Sequence, residues 1–281
     1  MYLPGALADP AAFVLGCVIG SFLNVCIYRM PRDQSVVSPP SHCPQCGARL
    51  RPLDLVPLLS FLLLGRKCRR CGGPIAWRYF AVELITGLVF VAVWEAGGGK
   101  PQVLPCWVFA SVVIAVIFTD LDHMIIPDKL VLAGLAAALL SEGLQVASGE
   151  PLLSVRVPGT AVALPRVVAG GLAGLVVFVA IRAFSQLLFR REGMGLGDVK
   201  LAGAIGAMLG PALALLSFGL AIVAGAVLGI VLLALRLRRR MEYLPFGPFL
   251  AVSALAVLLA PRALEAAAVS LYQHWFRLVG G

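Results

Sequence analysis

Four cysteines are the densest concentration of chemistry in the chain. Cys43 and Cys46 stand in CPQCGARL, Cys68 and Cys71 in CRRCGG, and 21 residues separate the two pairs. A two-residue gap lets both thiolates of a pair bite one ion, and two pairs complete the tetrahedral four-sulfur shell that zinc takes in closed, structural sites. Gly47 and Gly72 each follow a second cysteine and ease the tight turn behind it. His42, next to Cys43, is a competing ligand by type, but reads more simply as a solvated loop histidine. The surrounding segment is too short and polar to build a core of its own, so a bound ion would substitute for one.

Carboxylates form the second constellation. In FTDLDHMIIPDKL, residues 118–130, Asp120, Asp122 and Asp128 stand directly against apolar runs, and in EGMGLGDVKLAG, residues 192–203, Gly193, Gly195 and Gly197 lead into Asp198 and a further apolar run. A carboxylate in or near hydrocarbon costs several kcal/mol unless compensated, which makes each a functional candidate. Two carboxyls within a few ångströms of each other cannot easily both ionise; one keeps a proton, and the pair then offers a base and an acid in one site. That combination suits amide hydrolysis, with one group taking a proton from water and the other protonating the departing amine. The bland reading of Asp198 is a helix N-cap, and Asp128 after Pro127 reads as a helix start. Physics alone does not choose between Asp120 and Asp122. The glycines of 193–197 lack the spacing of a dinucleotide loop.

The elements that must position these groups follow from composition. The 281 residues are 60% hydrophobic and only 13% charged, with a mean hydropathy of +0.95, which leaves too little polar surface for a soluble globule. The apolar runs are long and continuous, so the fold class is an all-α polytopic membrane protein. Run lengths and Gly, Pro and charge breaks place spans near 10–28, 77–95, 102–119, 128–147, 165–188, 199–216, 218–236 and 246–266, about eight helices, with MLGPAL (208–213) offering a turn inside the longest apolar stretch. Three regions result: a first transmembrane helix over 1–28, the zinc-binding segment over 29–76, and a transmembrane domain over 77–281. The N-terminal stretch lacks a basic start and a small-residue cleavage site, and is expected to stay as a helix. Gly16/Gly20, Gly170/Gly174, Gly206/Gly210 and Gly225/Gly229 are expected to be helix-packing faces. Trp275, Tyr272 and Arg277 suggest an interfacial tail.

Lys and Arg set the expected orientation. Nine basic residues, Arg29, Arg32, Arg49, Arg51, Arg66, Lys67, Arg69, Arg70 and Arg78, fall in 29–78, so this segment is placed in the cytoplasm, and the clusters Arg190/Arg191 and Arg236/Arg238/Arg239/Arg240 agree. A reducing cytoplasm argues against disulfides between the cysteines. Asp120 then closes an out-to-in helix and Asp198 opens an in-to-out one, which puts both at the cytoplasmic edge. The excess of 23 basic over 14 acidic residues flanks apolar spans, as contact with anionic lipid and insertion require, and does not imply nucleic acid. Cys17, Cys26 and Cys106 lie in or beside apolar spans and read as small hydrophobes.

Several stretches together resemble the bacterial type IV prepilin peptidases, membrane aspartic proteases of the G-x-G-D class: GSFLNVCIYRMP (20–31), the two cysteine pairs, YFAVELITG (79–87), DLDHMIIPD (120–128), GMGLGDVKL (193–201) and PFGPFLA (245–251). The resemblance implies a bacterial inner-membrane endopeptidase with Asp120 and Asp198 as the catalytic pair, and Asp122, Asp128, Lys200 and Glu83 as supporting or structural groups. It implies prepilins and pseudopilins as substrates, cut after a glycine just before an apolar helix at the cytoplasmic face. It also implies N-methylation of the new N-terminus with S-adenosylmethionine, to which no residue can be assigned from sequence.

Two other classes use the same features differently. A transporter or channel would line a polar path with carboxylates at mid-membrane, and a zinc-dependent assembly factor would leave the aspartates as helix caps. His42, His123 and His274 are the only histidines, and neither a G-x-S-x-G elbow nor an H-E-x-x-H helix is present.

Overall fold

The structure, a computed structural model, describes residues 5–98, 100, 103–149, 154–156, 163–189, 194–235, 245–261, 263–264 and 266. Gly193, the basic clusters at 190–191 and 236–240, and the tail residues Tyr272, His274, Trp275 and Arg277 lie outside them. The chain forms two compact units, Met1–Leu130 and Val131–Gly281.

The first unit opens with α1 (Gly5–Arg29), which runs into a single 3-10 turn, Met30–Arg32. The cysteine segment follows, with a 3-10 turn at Pro52–Leu55 and a short helix α2 (Leu59–Leu63). Then come α3 (Trp77–Gly97) and α4 (Val103–His123). Helix α1 lies against α3 almost backbone to backbone. A Cβ on Gly16 would sit 2.7 Å from the Thr86 carbonyl oxygen, and one on Gly20 2.7 Å from the Glu83 Cα, so any larger residue would force the helices apart. Phe109, Val113, Ile114 and Val116 of α4 are fully buried, and the Trp107 indole N–H donates to the Phe90 carbonyl at 2.9 Å.

The second unit contains most of α5 (Asp128–Ala147), then α6 (Arg166–Phe189), α7 (Leu196–Leu209), α8 (Pro211–Ala234) and α9 (Gly247–Leu259). A short antiparallel pair, β1 (Ser154–Arg156) and β2 (Ala163–Pro165), joins Ser154 to Pro165 and Arg156 to Ala163, where sequence suggested only a loop. Helices α6 and α7 approach as closely as α1 and α3 do. A Cβ on Gly170 would lie 2.0 Å from the Gly206 carbonyl oxygen, and one on Gly206 2.1 Å from that of Gly170. The fourth glycine pair does not behave this way, because a Cβ on Gly229 would meet nothing within 4 Å and one on Gly225 only ordinary contacts.

Among the described residues, leaving aside α2, eight helices correspond to the eight expected spans, and six are long and apolar enough to cross a membrane. The two exceptions are α7, with 14 residues, and α9, with 13. At 1.5 Å per residue, α7 is only about 21 Å long against a hydrocarbon core of about 30 Å. The expected division at 216–218 moves to Gly210, whose φ of 80° ends α7; Pro211, with no N–H to donate, then starts α8. From Val199 to Leu209 only Lys200 escapes burial, so α7 is an inner element of its unit.

Candidate functional site

Helix α4 carries Asp120 in its last full turn, where the side chain is only 5% exposed, directly after Thr119, which is wholly buried. The helix ends three residues later. Met124 takes a left-handed φ of 53°, its N–H donates to the Asp120 carbonyl at 2.9 Å, and Pro127 precedes the start of α5 at Asp128, as the sequence suggested. Asp122 faces outward and is ion-paired to Arg78 in the first turn of α3. The two aspartates that sequence could not separate are therefore in different environments, one buried and the other exposed and held by a guanidinium.

Asp198 is half-buried in the first turn of α7, two residues after its start at Leu196. It is not the N-cap, since Gly195 holds that position with φ −68° and ψ 150°. A carboxylate here faces the unsatisfied N–H groups and the positive end of the helix. The chain entering α7 is pinned from α6, where Arg182 Nη1 donates to the Met194 carbonyl at 2.7 Å. Arg166 closes the other end, donating to the Leu209 carbonyl at 2.6 Å. Asp120 belongs to the first unit and Asp198 to the second.

The four cysteines come together. Their sulfurs all lie within 4.8 Å of one another, and Cys43 Sγ is 3.9 Å from Cys71 Sγ. Four sulfurs at 2.3 Å around one tetrahedral ion would be about 3.8 Å apart, so the cluster fits a metal. Each pair is held by the same turn. Gly47 N–H donates to Cys43 O and Cys43 N–H to Ala48 O; Gly72 N–H donates to Cys68 O and Cys68 N–H to Gly73 O, all at 2.8–2.9 Å. Gly47 and Gly72 have φ of 67° and 70°, the left-handed conformation that glycine adopts without strain. Backbone N–H groups of Cys71 and Arg70 bring the Cys68 thiol down to about 6. Cys71 stands at about 11 despite the Gly73 N–H, because burial and the three neighbouring sulfurs oppose a further negative charge. His42 Nδ1 lies 3.1 Å from the Pro40 carbonyl, outside the cluster.

Two positioning residues were not evident as such from sequence. Arg29, counted only as a topology charge, is 5% exposed and donates to the Ser35 carbonyl at 2.9 Å and the Pro40 carbonyl at 3.4 Å, which folds the start of the cysteine segment back onto α1. Glu83 is 8% exposed and accepts the Leu58 N–H at 2.8 Å, tying the end of that segment to α3. Between these anchors, Asp54 accepts from Arg69 Nε at 3.0 Å and Nη2 at 2.9 Å; this guanidinium holds the Asp54 carboxyl below the usual carboxylate range.

The bacterial peptidase A24 N-terminal domain matches residues 14–96, and the type IV leader peptidase family matches residues 107–230. A prepilin leader peptidase/N-methyltransferase of Aeromonas hydrophila is 36% identical over 275 residues, covering 88% of this chain and 89% of the relative. A protein of the same name from Pseudomonas aeruginosa is 32% identical, covering 90% and 92%. Another from Myxococcus xanthus is 38% identical over 229 residues, covering 82% of this chain but 64% of the relative's own length. No solved structure matches the chain.

Proposed function

Since the chain belongs to the type IV leader peptidase family, we propose that it is a membrane aspartic endopeptidase that removes the leader from type IV prepilins and pseudopilins, with Asp120 and Asp198 as its catalytic pair. The observation that carries the assignment within DLDHMIIPD is the burial of Asp120 beside an Asp122 already held by Arg78. A buried carboxyl next to a second one is driven to share a proton, whereas an exposed carboxylate beside a guanidinium stays ionised and has no acid to offer.

In this reading the ionised aspartate takes a proton from water, whose oxygen attacks the scissile carbonyl carbon. The protonated aspartate hydrogen-bonds the carbonyl oxygen as charge develops there. Collapse of the tetrahedral intermediate breaks the C–N bond, and the amine leaves with a proton returned by the pair. The burial of Asp120, 5% exposed, limits competing water at its carboxyl and strengthens these interactions. The excess of Lys and Arg in 29–78 supports a cytoplasmic face in the bacterial inner membrane, and recognition of the substrate by its apolar helix.

Cys43, Cys46, Cys68 and Cys71 hold one zinc ion, which supplies cross-linking and no open coordination position. The segment 29–76 is thus a scaffold stabilised by the metal together with Arg29, Asp54 and Glu83. By likeness to relatives named N-methyltransferases, the chain is also assigned methyl transfer to the amine that cleavage releases. A transporter or channel reading has no specific observation in its favour.

The test is leader removal from a prepilin by purified protein in detergent. Asp120→Asn and Asp198→Asn are each expected to lower the rate by about 10³-fold or more, with metal content unchanged; normal cleavage by both variants would overturn the assignment.

A further inference from the structure

Between the two cysteine pairs runs PLDLVPLLSFLLL, residues 52–64, in which Asp54 is the only charge. An apolar run of this length is too short to span a bilayer and is typical of an interfacial or re-entrant segment. It lies within the first unit and forms the 3-10 turn Pro52–Leu55 and α2. Phe61 is buried, with its ring 5.2 Å from those of Trp77 and Phe80 in the first turn of α3. The other side of α2 is bare. Leu59, Leu62 and Leu63, at the spacing of one helix face, are 58%, 62% and 85% exposed, and Leu53 and Trp77 are exposed as well. In water such a stripe is an uncompensated cost.

Its position relative to α3 shows where that stripe lies. Helix α3 is one of the six able to cross a membrane, and its 21 residues extend about 31 Å, close to the thickness of a hydrocarbon core. Glu83 stands about 9 Å along the axis from the start of that helix at Trp77. Its carboxylate accepts the Leu58 N–H at 2.8 Å. The side chain leans back toward the helix start by less than that distance. The beginning of α2 therefore sits alongside the span and not beyond its end.

Backbone at such a depth must satisfy its hydrogen bonds internally. Ser60 N–H donates to the Val56 carbonyl, Leu62 to Leu58, Leu64 to Ser60 and Arg66 to Phe61, at 2.9–3.2 Å. Pro52 and Pro57 have no N–H to satisfy.

Charge brackets the run. Arg51 precedes it and Arg66 and Lys67 follow it, all exposed and in no ion pair among the described residues, while Asp54 is already paired to Arg69. Arg66 lies over the Trp77 ring at 4.7 Å. Tryptophan and basic side chains at the edge of an apolar segment suit the headgroup boundary, and a basic rim complements anionic lipid. A second copy of the chain, or the apolar helix of a substrate, would need no such rim.

We propose that residues 52–64 are a membrane-inserted anchor that moors the cysteine segment to the bilayer. Leu59, Leu62 and Leu63 lie among acyl chains, and Arg51, Arg66 and Lys67 contact the phosphates of anionic phospholipid. The anchor requires α3 to span a membrane and is independent of the peptidase chemistry.

The experiment places the photoreactive residue p-benzoylphenylalanine at Leu62, at Leu63 and, as a reference within α3, at Leu88, which is 55% exposed. Each full-length, zinc-loaded protein is irradiated in vesicles of phosphatidylcholine and phosphatidylglycerol with a prepilin present, and the adducts are identified by mass spectrometry. Phospholipid is expected as the main adduct at all three positions, with yields at Leu62 and Leu63 within a few-fold of that at Leu88. Phosphatidylglycerol is expected to be enriched at Leu63 about fivefold over the bulk mixture, falling toward the bulk ratio in a variant carrying Arg51→Gln and Lys67→Gln. That variant must retain its metal, which shows that the segment is folded. Main adducts at Leu62 and Leu63 to a second copy or to prepilin would overturn the anchor. So would lipid adducts at Leu88 alone, no lipid adduct at any position, or an enrichment that the double variant leaves unchanged.

Discussion

Arg78, in the first turn of α3, is ion-paired to Asp122, in the last turn of α4, while Asp120 two residues earlier is buried. The pair is partly exposed, so its loss costs about 1 kcal/mol or less. Asp122→Asn is therefore expected to lower the melting temperature slightly and keep cleavage within about tenfold of the parent, measured beside Asp120→Asn. The reverse pattern, an inactive Asp122→Asn and an active Asp120→Asn, would exchange the roles assigned here.

Removing one sulfur from the cluster opens the shell. Cys43→Ser is expected to abolish binding of about one metal ion per chain, seen by elemental analysis, and to make residues 33–76 sensitive to limited proteolysis. Cys17→Ala and Cys106→Ala, whose sulfurs lie outside the cluster, are expected to leave metal content unchanged.

Close backbone approach predicts a contrast between two glycines. A Cβ on Gly206 would overlap the Gly170 carbonyl oxygen, whereas one on Gly229 would meet nothing within 4 Å. Gly206→Ala is expected to destabilise by about 1–3 kcal/mol through forced separation of α6 and α7. Gly229→Ala is expected to be neutral or slightly stabilising by about 0.5–1 kcal/mol, because alanine favours the helix. Thermal unfolding in detergent reads both.

Arg69 holds the Asp54 carboxyl below its ordinary value. A depressed acid contributes stability that is present above its unfolded value of about 3.9 and lost as pH falls through the folded one. Arg69 is 52% exposed, which limits the contribution to about 1 kcal/mol. The stability difference between the parent and Asp54→Asn is expected to be constant above about pH 5 and to close toward zero in stronger acid, measured by thermal unfolding across that range. A difference that widens in acid would contradict the sign.

Features set by local chemistry were legible in the sequence. Cys-x2-Cys spacing with a following glycine is enough to specify both turns of the cluster, and Gly47 and Gly72 have the positive φ that those turns need. Pro127 before Asp128 likewise marks the start of α5. Hydropathy was less informative around Gly210, because α7 and α8 form one continuous apolar stretch and only the backbone twist at that glycine separates them. What sequence could not supply was partnership at a distance. Glu83 stood out as a carboxylate in an apolar helix, but its acceptance of the Leu58 N–H depends on a loop returning from 25 residues earlier. Arg29 counted as one of nine topology charges until its burial identified it as the anchor of that loop. The choice of Asp120 over Asp122 came from resemblance alone, and the contrast in their surroundings became visible only once Arg78 was placed.

The proposed function requires the carboxyls of Asp120 and Asp198 to act on one substrate bond. The most direct measurement replaces both with cysteine in a background lacking Cys17, Cys26 and Cys106, and treats zinc-loaded membranes with a short bis-maleimide. Efficient bridging of residues 120 and 198 is predicted, detected as an internal cross-link between the two parts of a chain cleaved in the loop between α5 and α6. No bridge, when each single-cysteine variant is readily alkylated and retains its metal, would contradict the account.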